Sequence, residues 1–236
     1  MRFVKTGILP LDTQLGGGIP AGSVVSVFEE PGAGADLLSF HFIVEGAMHG
    51  ENVFYLSTDD SSKEVKEYIN TYFNLDEAVW ENITLLSLNT SALSEDVEKD
   101  AKEYLKRTIY DPIGGIKTIL SNEEFERVVV NNLTYFLVNY PLEDVISLID
   151  IFSHYAKSKQ SVVMLLVTKG MFDSRTETTV KHYSDGVIEL TLREVENEVQ
   201  RRLKIVKFKG ILVPKAILRY EITDKGIKME SVMRVL

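Results

Sequence analysis

The chain has 236 residues, 44% of them hydrophobic and 26% charged, which suits one α/β domain with a substantial core better than two small ones. It holds no cysteine, which excludes disulfides, thiol catalysis and thiolate-bound metal. The net charge of −9 argues against a wide nucleic-acid surface, the start MRFVKTG lacks the apolar core of a signal peptide, and no apolar run approaches the ~20 residues of a membrane span. A single cytoplasmic domain over residues 1–236 is expected.

In chain order, the glycine-rich LGGGIPAG leads into a first strand at 23 to 28 (SVVSVF). An apolar helix follows at about 36 to 48, then the strand NVFYLS. Ser61-Ser62-Lys63-Glu64 has capping-box spacing, so a helix is predicted from there to about Phe73. ITLLSL reads as a short buried strand, SEDVEKDAKEYLKRTI as an amphipathic helix and RVVVNNL as a β-branched, buried strand. PLEDVISLIDIFSHYAKSK opens with proline and acids and closes with lysines, the polarity that a helix dipole favours. SVVMLLV is a further strand, and MFDSRTETTVKHY reads as a loop between two strands. GVIELTLREV and VQRRLKIVKFK form a hairpin about a short ENE turn, and ILRYEIT and GIKME supply another strand pair. Period-two alternation puts Lys207 and Lys209 on one face of their strand, with Phe208 opposite. Strands alternating with helices predict a mainly parallel central sheet flanked by helices, with an antiparallel C-terminal edge.

One segment raises a question of chemistry. FEEPGAGADLL, residues 28 to 38, sits between strand and helix, where a phosphate-binding loop belongs. Such loops follow G-x-x-x-x-G-K-S/T, because backbone amides cradle oxygens, the lysine reaches the terminal phosphates and the hydroxyl binds magnesium. On that spacing the first glycine is Glu29, the second Gly34, the lysine Ala35 and the hydroxyl residue Asp36, while Pro31, Gly32 and Gly34 keep the turn character. As a bare pattern the match fails, and a glycine turn is the simpler interpretation of these residues alone. His41, His49, His154 and His182 show no metal-ligand spacing with one another.

The surroundings say more. KTGILPLDTQLGGGIPAGSVVSVFEEPGAGADLLSF contains a T-G-x-x-x-L-D-x-x-L-G-G-G-I-P-x-G-S lead-in, and ENVFYLSTDDSSKEV ends a strand in the acidic pair Asp59 and Asp60. ERVVVNNLTYF, SDGVIELTLREVENEVQRRLKIVKFKG and EITDKGI follow. Together, in this order and over almost the whole chain, these segments resemble the KaiC-like branch of the RecA superfamily. The resemblance implies a RecA-like P-loop NTPase fold. It also marks ERVVVNNLTYF as the Walker B strand, one of Asp59 and Asp60 as the residue that orients the attacking water, and Lys207 and Lys209 as the pair that reaches a neighbouring subunit's phosphate.

Departures from that pattern fall where the chemistry lies. Ala35 and Asp36 replace the lysine and hydroxyl, Asn131 replaces the Walker B aspartate, and Asn132 the hydroxyl residue after it. The histidine common after the late lysines is not evident in ILVPKA. Two like charges ~4 Å apart repel by ~1 kcal/mol in water and ~4 kcal/mol at an effective dielectric of ~20, so Asp36 opposes a triphosphate. A divalent cation held by Asp36 and Asp59 and bridging to phosphate is the alternative that would rescue binding. The expectation is therefore a pseudo-ATPase that uses neither ATP nor magnesium and acts as a regulatory or assembly protein in signal transduction. Glu29, Glu30, Asp36, Asp59 and Asp60 are expected to form an acidic crest for a basic protein or peptide partner, or for Lys207 and Lys209 of a second copy. Two alternatives stay open: a nucleotide-binding switch or slow ATPase, and a recombinase-like accessory that binds single-stranded DNA through residues 201–209 and 171–183.

Overall fold

The computed structural model describes residues 2–89 and 108–230, and the helix expected over SEDVEKDAKEYLKRTI falls almost wholly outside them. Strands β1 (Phe3–Val4) and β2 (Ile19–Pro20) pair antiparallel on either side of helix α1 (Leu9–Gln14). A Cβ at Gly18 would lie 2.5 Å from the Val4 carbonyl oxygen, so this close pairing needs one of the glycines of LGGGIPAG. Next come β3 (Ser23–Glu29), α2 (Ala35–Met48), β4 (Val53–Ser57), α3 (Ser62–Phe73), α4 (Glu77–Trp80) and β5 (Ile83–Ser87). Beyond residue 107 follow α5 (Pro112–Asn122), β6 (Arg127–Asn131), α6 (Leu133–Asn139), α7 (Leu142–Lys159), β7 (Val162–Thr168) and α8 (Ser174–Tyr183). The last strands are β8 (Gly186–Val195), β9 (Glu198–Phe208), β10 (Ile217–Thr223) and β11 (Gly226–Met229).

Among the described residues, nine strands form one sheet in the order β11-β10-β9-β8-β3-β7-β6-β4-β5. Neighbours from β8 through β5 run parallel, and β8 to β11 form the expected antiparallel edge. Both faces of the parallel part are covered, which is why its strands are continuous apolar runs. Along β3, Val25 and Val27 enter the core on the α2 side, while Val24 and Phe28 enter the core against α7. Helix α2 is buried nearly all round. The sheet covers one flank, and on another the His41 imidazole accepts the Ile227 N–H of β11 at 2.8 Å.

Local signals account for several boundaries. The Ser61 hydroxyl accepts the Glu64 N–H, the Glu64 carboxylate accepts the Ser61 N–H, and α3 starts there. Helix α7 follows Pro141, with Glu143 and Asp144 in its first turn and Lys157 and Lys159 in its last.

The segment read as a loop is corrected: residues 174–183 are helix α8. Asp173 caps it by accepting the Thr176 N–H at 2.7 Å, and Val180 anchors it in the core. Capping and one buried contact outweigh the weak helix propensity of TETT.

Strand β9 also departs from simple alternation. Ile188 pairs with Ile205 and Val187 with Lys207, so Val206 is an extra residue in a bulge. Unbroken alternation from Leu203 and Ile205 would drive Lys207 into the core; the bulge buries Phe208 instead and turns Lys207 and Lys209 outward. No helix among the described residues is long and apolar enough to cross a membrane.

Candidate functional site

The loop between β3 and α2 is shaped by Gly32 and Gly34, at φ 88° and 95°. Gly34 caps α2, and a Cβ there would meet Ile222 at 2.9 Å, so the left-handed turn and the close approach both call for glycine. Tyr220 of β10, almost fully buried, donates its hydroxyl to the Ala33 carbonyl at 2.7 Å. The loop is thereby tied to the antiparallel edge.

Glu29, at the first position of the loop pattern, turns inward. Its Oε2 accepts the Gly34 N–H at 3.1 Å and the Ala35 N–H at 2.9 Å. Burial pushes this carboxyl above the usual carboxylate range, with the two amides pulling the other way. Glu30 turns towards β8, accepting the Leu192 N–H at 2.7 Å and lying 3.7 Å from the Lys169 ammonium. These two glutamates thus leave the expected acidic crest, because each carboxylate meets backbone donors of its own chain.

The remaining three acids do share a neighbourhood. Asp36 stands on the first turn of α2, and Asp59 and Asp60 follow the end of β4. Desolvation beside the helix start raises the Asp36 carboxyl, and Asp60 and then Asp59 add to the effect. Asp60 is raised by burial, then by Glu64 and Asp59. No salt bridge to any of the three occurs among the described residues. Backbone bonds hold the turn that carries the pair: Asp60 N–H to the Ser57 hydroxyl at 3.1 Å, and Asn89 Nδ2 to the Asp59 carbonyl at 2.7 Å.

Beside these acids lies a cavity of about 330 Å³ with Asp36, Asp60 and Asn131 at its polar end and Phe40, Tyr55, Tyr68 and Tyr72 among its walls. Asn131, at the end of β6, donates its amide to the Tyr55 hydroxyl at 2.8 Å and lies 3.5 Å from Asp36 Oδ1. Asn132 accepts the Thr134 N–H at 2.9 Å and so caps α6. The aromatic walls escaped the sequence reading, although Tyr68 and Tyr72 stand at i and i+4 of α3, a spacing that puts both on one helical face. A larger open depression of about 800 Å³ lies between the start of α7 and the length of α8, lined by Arg175 and His182 among others. Its lining includes none of the loop residues. No three His, Asp or Glu side chains among the described residues are grouped as metal ligands.

Lys207 and Lys209 lie away from this cavity and have partners in their own chain. Lys207 Nζ donates to the carbonyls of Lys181 and His182 at the end of α8, at 2.9 and 3.1 Å. Burial and the adjacent Lys209 lower its pKa. Lys209 pairs with Asp185 at 2.8 Å.

The family model described as "ATPase: KaiC" matches residues 4–232. The chain belongs to the KaiC ATPase family. A KaiC-like protein of Pyrococcus horikoshii OT3 has the same fold, with a TM-score of 0.73, 20% identity and coverage of 98% of this chain and 99% of that one. A UPF0273 protein of Thermotoga maritima is 29% identical over 235 residues, covering 96% of this chain and 95% of that protein. The circadian clock protein KaiC2 of Synechocystis is 26% identical over 212 residues, spanning 87% of this chain and 36% of that longer protein. The KaiC fold thus puts Ala35, Asp36 and Asn131 around one end of the loop, together with Asp60 of the acidic pair.

Proposed function

We propose that this KaiC-family chain acts in the cytoplasm as a regulatory or assembly protein without nucleotide turnover, and that it binds a basic segment of a protein partner at the cavity beside its loop. The observation that carries the reading is the position of Asp36 and Asp60 together at the polar end of an aromatic-walled cavity, with no cation partner among the described residues. A magnesium-bound triphosphate needs an amine at position 35, a hydroxyl at 36 and a carboxylate at 131. The chain supplies a methyl, a carboxylate and an amide. These groups do not fit the nucleotide.

They do fit a cation. Two carboxylates favour a lysine or arginine head group, and the exposed Tyr68 in the lining adds a ring over which a cation gains ~0.5–2 kcal/mol. Likeness to a circadian clock protein supports a regulatory setting. Single-stranded DNA binding is the weaker reading, since Lys181, Lys207 and Lys209 all have partners within the chain.

The second reading, a nucleotide-binding switch, draws support from family membership and from the retained left-handed glycines of the loop. Titration calorimetry separates the two. No heat with ATP and magnesium, together with saturable heat from a lysine- and arginine-rich peptide that disappears in Asp36→Lys, is the expected result. Metal-dependent ATP affinity would overturn it in favour of the switch.

A further inference from the structure

We propose that Glu29 is a built-in substitute for a phosphate group, its carboxylate filling the amide donors of the loop and holding the loop in an anion-bound shape without any ligand. The inference concerns the loop rather than the neighbouring cavity, and it stands whether or not a basic partner binds there.

Three observations carry it. First, the donors are the N–H groups of Gly34 and Ala35, which open the 14-residue helix α2. The first amides of a helix lack intrahelical acceptors and lie at the positive end of its dipole, so they are suited to an oxyanion. One carboxylate oxygen receives both, 3.1 and 2.9 Å away, as one phosphate oxygen would.

Second, Glu29 has no lysine or arginine partner among the described residues. Its charge is met by backbone dipoles alone. By contrast Glu30, the next residue, has Lys169 nearby.

Third, the residue is anchored on the strand side. Its carbonyl accepts the Lys169 N–H at 2.8 Å, and its backbone pairs with Thr168 on β7 and Leu190 on β8. The side chain is therefore delivered to the loop from a fixed point five and six residues upstream of its donors.

A free oxyanion entering the loop must displace a carboxylate that is always present. The covalently tethered group acts at a high effective concentration, so the loop resists phosphate even before the missing lysine is considered.

Thermal unfolding with and without inorganic pyrophosphate tests this, using sodium chloride of matched ionic strength as the reference. Pyrophosphate is expected to leave the wild-type midpoint where the salt control puts it. In an Asp36→Asn background, which removes the neighbouring charge that opposes phosphate, Glu29→Ala is expected to melt lower than Asp36→Asn alone by roughly 5 °C and to regain most of that loss in pyrophosphate. Glu29→Gln, which keeps the shape and loses the charge, should fall between the two. Should Glu29→Ala not fold, amide exchange in Glu29→Gln gives the same answer, with Gly34 and Ala35 exchanging faster than in the wild type. Unchanged melting and unchanged exchange in the variants would overturn the proposal. So would a destabilised variant that pyrophosphate does not restore, or a wild type that pyrophosphate stabilises as strongly as the variant. None of these outcomes bears on peptide binding at the cavity, so the two ideas fail separately.

Discussion

Tyr220 donates its hydroxyl to the Ala33 carbonyl across 187 residues of sequence, and with that single bond the antiparallel C-terminal edge steadies the loop before α2. The pair is buried, so removing the hydroxyl leaves a carbonyl with no solvent to turn to. Tyr220→Phe should cost about 1–2 kcal/mol. Urea denaturation checks it: the midpoint falls while the slope, which follows exposed surface, stays constant.

His41 makes the second link between α2 and the same edge, accepting the Ile227 N–H and meeting the Phe73 ring edge-on at 4.8 Å. Burial holds its pKa down to about 4, against an ordinary value of 6.5. Folded His41 is neutral where the unfolded chain binds a proton, so its contribution is complete above pH 6.5 and is lost as pH falls from there towards 4. The loss is on the order of 2 kcal/mol. Melting curves from pH 7 to 4.5 should show a shallower decline in His41→Gln than in the wild type.

Arg127 is a buried cation at the start of β6, held by the Glu51 carboxylate and by the carbonyls of Lys5 and Phe42, with its guanidinium over the Phe42 ring. Its removal strands a carboxylate and two carbonyls together. Arg127→Ala is expected to lose about 3–5 kcal/mol, measured by chemical denaturation. Arg127→Lys should recover only part, because an ammonium cannot reproduce the planar fork that serves three acceptors.

Reconstruction tests the loop directly. Ala35→Lys with Asp36→Thr restores the amine and hydroxyl of the phosphate-loop pattern but leaves Glu29 on the amides. That double variant should bind ATP and magnesium weakly. Adding Glu29→Gly should raise affinity by roughly 10²-fold, the equivalent of two recovered charge-assisted bonds at ~1.5 kcal/mol each. Calorimetry reads the difference, and equal affinity in the two variants contradicts a role for Glu29.

Much of this molecule is legible in short windows of its sequence. β-Branched runs mark β3, β6 and β7, Ser61 and Glu64 announce α3, and the family segments order the sheet, because each depends on residues a few positions apart and on solvent exclusion. The acids and the missing lysine of the loop are equally plain there. Where those acids point is not. Glu29 reaches amides that exist as free donors only because α2 begins at Ala35, and Glu30 reaches Leu192, 162 residues away. The bulge at Val206 decides that Lys207 leaves the core, and Asp173 with Val180 turns a polar stretch into a helix. Propensity and pattern are properties of neighbours in the chain. The destination of a charged side chain is set by donors and cations that only the folded sheet brings within reach.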